Sequence, residues 1–131
     1  MEINNLEMIS FRNHRKTNID FDPGLTIIWG ENGSGKTSIL EAIHSLSYGK
    51  SFRTNNKKDL IKKGSDFFFI KGSFKNTENF NNTVSLSQDI KGNKKIQIDN
   101  KVVKKRKDLF GLNNVVVFSP EEEGITKGIS L

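Results

Sequence analysis

The stretch GENGSGKT, at Gly30–Thr37, narrows the possible folds of this chain more than any other part of its sequence. It follows the short apolar run LTIIW, which is typical of a strand buried on both faces. Apolar residues then recur at helical spacing over Lys36–Tyr48, and Gly49 is a natural stop for a helix. Strand, glycine-rich loop and helix in this order are the context that the P-loop pattern requires. The alternative is a glycine-rich turn capped by a helix, without a ligand.

The residue types of this loop explain what it would hold. Glycines let successive backbone N–H groups turn toward phosphate oxygens, and the helix N-terminus adds partial positive charge. Lys36 would meet the β- and γ-phosphates of ATP, and the Thr37 hydroxyl would coordinate Mg²⁺. The predicted nucleotide-binding residues are Gly30, Glu31, Asn32, Gly33, Ser34, Gly35, Lys36, Thr37 and Ser38.

Local patterns elsewhere predict an α/β fold. Strands are predicted at 3–11, 17–22, 25–29, 66–74, 82–88, 95–99, 101–103 and 114–119. Asp99-Asn100 predicts a hairpin turn, because Asn tolerates the left-handed backbone conformation. Short helical turns are predicted at 58–63 and 105–112, and a helix start is predicted at Pro120.

Composition limits the classes of protein to which the chain can belong. The chain has 131 residues, no cysteine and no apolar run long enough to span a membrane. Its N-terminus does not have the pattern of a signal peptide, so we expect a soluble cytoplasmic protein without a membrane partner.

The charge has two interpretations. The net charge is +6, with 17 Lys, 4 Arg and 15 acidic residues, which favours a nucleic-acid partner. However, the 15 Asn, 14 Ile and single Ala indicate A/T-rich coding, which raises the Lys content regardless of function. Two basic clusters are candidates for a DNA-facing surface. They consist of Lys50, Arg53, Lys57 and Lys58, and of Lys104, Lys105, Arg106 and Lys107.

Four other features have both a functional and an ordinary interpretation. Glu41 lies within the predicted helix and is expected at the surface. His14 and His44 have no ligand pattern around them and are expected to be surface or half-buried residues, not metal ligands. Phe67–Phe69 could stack on bases, but a buried strand is the favoured interpretation.

Several stretches resemble the RecF family of bacterial DNA replication and repair ATPases, which is related to the SMC-type ABC ATPases. They are FRN before the P-loop, the P-loop itself, and then SFRT at 51–54, LIKKG at 60–64 and VVVFSPE at 115–121, followed by KG. The resemblance spans essentially the whole chain. It implies an α/β P-loop NTPase of the ABC/SMC head type, with residues 1–131 forming an N-terminal part that contains a mixed β-sheet and the P-loop helix.

The same resemblance implies a function. Members of the family are expected to bind ATP and Mg²⁺, to dimerise with ATP on single-stranded and gapped duplex DNA, and to aid RecA loading with RecO and RecR. Arg12, in FRN, matches a position that lies near the nucleotide phosphates in SMC-like heads, and a surface arginine is the alternative. The family carries its signature segment and Walker B carboxylate further along the sequence. We therefore expect this chain alone to bind nucleotide without hydrolysing it.

Two other functions remain open from the sequence. One is a transporter-type ABC ATPase, which the FRN and SFRT stretches do not fit. The other is a nucleotide-binding remnant without activity.

Overall fold

One helix and six strands form the regular structure of the described part of the chain. The computed structural model describes residues 2–21, 36–51, 54, 56–75, 78, 80–109 and 112. The elements are β1 (Glu2–Phe11), β2 (His14–Asp20), α1 (Lys36–Tyr48), β3 (Phe67–Lys75), β4 (Asn81–Asp89), β5 (Lys94–Ile98) and β6 (Lys101–Val102). Two short 3₁₀ helices lie at Lys57–Asp59 and Arg106–Leu109.

The six strands form one sheet in the order β2-β1-β3-β4-β5-β6, and every described pair is antiparallel. Register aligns apolar residues across the sheet, so that Met8, Ile70, Leu86 and Ile96 form one row. All four are buried. Because side chains alternate along a strand, one face of the sheet therefore forms the core.

Helix α1 packs on this apolar face. Ala42 and Leu46 are completely buried in the core. Gly72 of β3 lies beneath the helix, and a Cβ atom there would stand 2.8 Å from Leu46 Cδ1 and from Phe74 Cε2. The absence of a side chain at Gly72 thus allows the helix and the sheet to approach closely.

Local turn signals are confirmed at both predicted positions. Gly49 adopts φ 78° and its N–H donates to the Ser45 carbonyl at 2.7 Å, which ends α1 where the sequence predicted. Asp99 and Asn100 adopt φ 51° and 68° between β5 and β6. Two consecutive left-handed residues are the geometry of a type I′ hairpin turn.

The segment predicted as a short helix at 58–63 is helical only over Lys57–Asp59. Beyond it the backbone pairs with the end of β1, since Ile61 bridges Phe11 and Lys62 N–H donates to the Ser10 carbonyl at 2.8 Å. Hydrogen bonds to β1 therefore take the place of the helical hydrogen bonds that the sequence predicted after Asp59.

Some predictions fall outside the described residues. They concern the strands at 25–29 and 114–119, the helix start at Pro120, the loop residues 30–35 and Arg53. Among the helices of the described part, none is long and apolar enough to cross a membrane.

Candidate nucleotide-binding site

Helix α1 begins at Lys36, directly after the predicted phosphate-binding loop. Thr37 is half-buried, and Ser38 is buried. The first N–H groups of a helix have no partner within the helix and carry partial positive charge, which favours an anion at this end. The roles predicted for Lys36, Thr37 and Ser38 remain predictions, as do those of the loop residues before them.

The turn between β1 and β2 places Arg12 beside this helix. Arg12 has φ 56°, and Ser10 has φ 53°, values in the left-handed region that non-glycine residues seldom adopt. Two backbone hydrogen bonds fix this turn. Arg12 N–H donates to the Leu60 carbonyl and Lys62 N–H donates to the Ser10 carbonyl, both at 2.8 Å. The turn is therefore held by residues about 50 positions further along the chain.

Arg12 forms a two-bond ion pair with Glu41 of α1. Arg12 Nε lies 2.8 Å from Glu41 Oε1, and Arg12 Nη2 lies 2.8 Å from Oε2. The side chains are 20% and 0% exposed, respectively. The hydrogen bonds to Glu41 raise the pKa of the Arg12 guanidinium above its ordinary value, against the opposing effect of burial. Arg12 therefore stays charged.

A third donor bonds to the same carboxylate. The Ser51 hydroxyl, in the loop after α1, donates to Glu41 Oε2, and Thr54 N–H donates to the same hydroxyl at 3.3 Å. A buried carboxylate costs much free energy unless hydrogen bonds compensate for the lost water. Three donor groups from two different loops supply that compensation at Glu41.

The surface position expected for Glu41 is wrong, since this residue is completely buried. A signal was nevertheless present. Ser38, Glu41 and Ser45 recur at helical spacing next to Ala42, which makes a stripe of small and polar residues on one side of the helix, and all four are buried. The surface alternative for Arg12 is likewise not what the structure shows, because most of its side chain is covered.

The two histidines differ in burial. His14 is half-buried, as expected, with Nδ1 2.9 Å from Thr17 Oγ1. His44 is only 3% exposed, so the expected surface or half-buried position is wrong for it. Its Nδ1 lies 3.0 Å from the Lys50 carbonyl, and its ring stacks on Tyr48. Burial lowers the pKa of His44 below its ordinary value, so His44 is neutral at pH 7.

The phenylalanine run is a strand, as favoured, but its residues alternate between the two faces of the sheet. Phe68 is completely buried, whereas Phe67 is 48% exposed.

Among the basic residues, Lys104, Lys105 and Lys107 are exposed just after β6.

Comparison with known proteins decides the family. Residues 5–128 match the family described as AAA domain, which covers most of the chain. The chain belongs to this family.

Curated relatives confirm the resemblance to RecF. The chain is 39% identical over 128 residues to the DNA replication and repair protein RecF of Clostridioides difficile (strain 630), covering 97% of this chain and 34% of the relative. It is 41% identical over 128 residues to RecF of Desulfitobacterium hafniense (strain DSM 10664 / DCB-2), covering 98% of this chain and 34% of the relative. The chain thus spans about a third of the length of these relatives.

Solved structures confirm the P-loop NTPase fold of the ABC/SMC head type. The recombination mediator protein RecF-ATP in the RecFOR pathway superposes with a TM-score of 0.84 at 30% identity, over 91% of this chain and 32% of that one. A structure from a study of ATP-driven dimerization and DNA-stimulated activation of SMC ATPases has a TM-score of 0.77, over 95% of this chain and 89% of that one. Because the sequence identity is 24%, this likeness shows a shared fold alone.

Proposed function

We propose that this chain is the nucleotide-binding part of a RecF-type protein that binds ATP with Mg²⁺ and acts in DNA replication and repair. The observation that carries the proposal is the position of α1. The helix follows a complete P-loop pattern and begins with Lys36 and Thr37. The chain also has the fold of a RecF protein whose structure is described with ATP. The RecF and SMC-head likeness supports this function over a transporter-type ATPase.

The parts played by individual residues follow from their chemistry. Lys36 would contact the β- and γ-phosphates, and Thr37 would coordinate Mg²⁺. Ser38 would support the start of the helix, and the N–H groups of residues 30–35 would surround the phosphates. Arg12 would add a second positive charge near the nucleotide.

The partners follow the same proposal. DNA, as single strands and gapped duplex, would be the polymer on which the whole protein acts. A second copy of the protein would join it when ATP is bound. RecR, RecO and RecA would be its protein partners. We propose a cytoplasmic location for it.

Replacement of Lys36 by alanine tests the nucleotide site. We expect binding of a fluorescent ATP analogue to weaken by about 1.5–3 kcal/mol, or roughly 10- to 150-fold, because a charge-assisted bond to phosphate is lost. Lys91→Ala removes an exposed lysine in the turn between β4 and β5 and serves as the matched control, with unchanged affinity expected. Equal affinity in the wild-type protein and in Lys36→Ala would refute the site.

The DNA surface is tested by the salt dependence of binding. We expect weak DNA binding that is independent of sequence, with log K falling by about 0.7–0.9 for each phosphate contacted per decade of salt. The variant Lys104/Lys105/Lys107→Gln should reduce that slope by about 2–3, as three contacts are removed. A triple Gln variant at the exposed residues Lys16, Lys63 and Lys91 has the same net charge.

Labelled DNA titrated at several salt concentrations separates the two interpretations of the lysine content. A specific surface predicts a reduced slope for the first variant and a nearly unchanged slope for the control. If the two variants give the same slope, the lysines after β6 do not form a DNA site.

A further inference from the structure

Glu41 occupies a position that stability alone does not explain. It is a completely buried carboxylate in a helix whose other buried side chains are serines, His44 and apolar residues. Buried ion pairs are often no more stable than apolar residues of the same volume, because both charges lose their water. The pair formed by Arg12 and Glu41 therefore points to a requirement for geometry.

The backbone around Arg12 supports the same view. Ser10 and Arg12 both lie in the left-handed region, which is unfavourable for a non-glycine residue. Backbone bonds to Leu60 and Lys62 maintain this conformation. Strained residues that are held by their surroundings are frequent at ligand sites. With this backbone conformation, the Arg12 side chain meets Glu41 of α1.

Arg12 contacts α1 close to its N-terminal end. Thr37 and Glu41 are four residues apart in α1, so they share a face of the helix about 6 Å apart along its axis. Glu41 thus holds Arg12 roughly one turn from the predicted Mg²⁺ ligand. The bonds to Glu41 use Nε and Nη2 of Arg12. They leave Nη1 outside the ion pair, on a side chain that is 20% exposed.

We propose that Glu41 is a positioning residue for the nucleotide: it fixes Arg12 so that Nη1 donates to a phosphate of ATP bound at the start of α1. Ser51 in turn holds Glu41 through its hydroxyl. This inference rests on the proposed ATP site and adds to it a residue that does not itself touch the ligand. The rigid planar guanidinium suits this arrangement, because one edge can hold a carboxylate while the remaining N–H groups bind phosphate.

A double-mutant cycle measured by calorimetry with ATP and Mg²⁺ tests this role. Glu41→Gln keeps the shape of the side chain but removes the charge that aligns Arg12. We expect its ATP affinity to fall about tenfold, which is the lower end of what outer-shell partners of metal ligands contribute. In an Arg12→Lys background, where the two-bond pairing is already lost, Glu41→Gln should change the affinity less than about twofold.

Controls separate positioning from general damage to the fold. Ser45→Ala removes a buried hydroxyl that has no hydrogen-bond partner among the described residues, one turn after Glu41, and it should leave the affinity unchanged. Circular dichroism verifies that each variant is folded.

Each outcome has a defined meaning. An equal loss of affinity on Glu41→Gln in both backgrounds would show a purely structural role and overturn the proposal. So would an unchanged affinity in Arg12→Lys while Lys36→Ala binds weakly, and in that case the nucleotide site itself would stand. If Lys36→Ala binds as well as the wild-type protein, the proposed function fails as well.

Discussion

Replacement of Arg12 by alanine is expected to lower the free energy of unfolding by about 3 kcal/mol. The substitution leaves Glu41, which is completely buried, without its two charge-assisted bonds. Loss of one partner of a buried pair costs about 3–5 kcal/mol. We expect the lower end, because Arg12 is 20% exposed and water can enter the space it leaves. Urea denaturation followed by circular dichroism measures the change.

A double variant provides the control for this prediction. In Arg12→Leu/Glu41→Leu both charges are removed together, so no unpaired carboxylate remains in the core. We expect this variant to be more stable than Arg12→Ala, because apolar replacement of a whole buried pair is often neutral or stabilising. A loss below about 1 kcal/mol in Arg12→Ala, the range of exposed pairs, would mean that the pair behaves as a surface salt bridge.

Replacement of Phe68 by alanine should have the other large effect on stability. Phe68 is completely buried, and its ring lies 5.2 Å from that of Phe11 in an edge-to-face contact. The cavity and the lost transfer free energy predict a destabilisation of about 3–5 kcal/mol. The same urea titration measures this variant.

The neighbouring residue is a matched control for this cavity. Phe67 has the same side chain in the same strand but is 48% exposed. Phe67→Ala is expected to cost about 1 kcal/mol or less, since little apolar surface leaves the core. Similar losses for the two variants would contradict the faces assigned to β3.

Local signals predicted the parts of the fold that depend on neighbouring residues. The helix at Lys36–Tyr48 and its end at Gly49 were confirmed because apolar spacing and a left-handed cap act within a few residues. The hairpin at Asp99-Asn100 was confirmed for the same reason. The chain has no comparable local signal for the order of the strands, which depends on pairing between distant segments.

The Arg12–Glu41 pair shows where prediction from sequence stopped. Its partners are 29 residues apart, and the loop residue Ser51 completes the group. Neither spacing nor periodicity connects such positions, so the sequence alone does not pair Glu41 with Arg12 and favours the surface for Glu41. The resemblance to RecF points to Arg12, but only the structure shows that Glu41 holds it.

Residues 30–37 are proposed to bind ATP together with Mg²⁺. Isothermal titration calorimetry of the folded, unmodified chain with ATP measures this directly, with and without Mg²⁺. We predict one ATP bound per chain and weaker binding when Mg²⁺ is removed by a chelator. Thr37→Val should lose this dependence on Mg²⁺, because the hydroxyl proposed to coordinate the ion is replaced by a methyl group. A folded chain that takes up no ATP in the presence of Mg²⁺ would contradict the account.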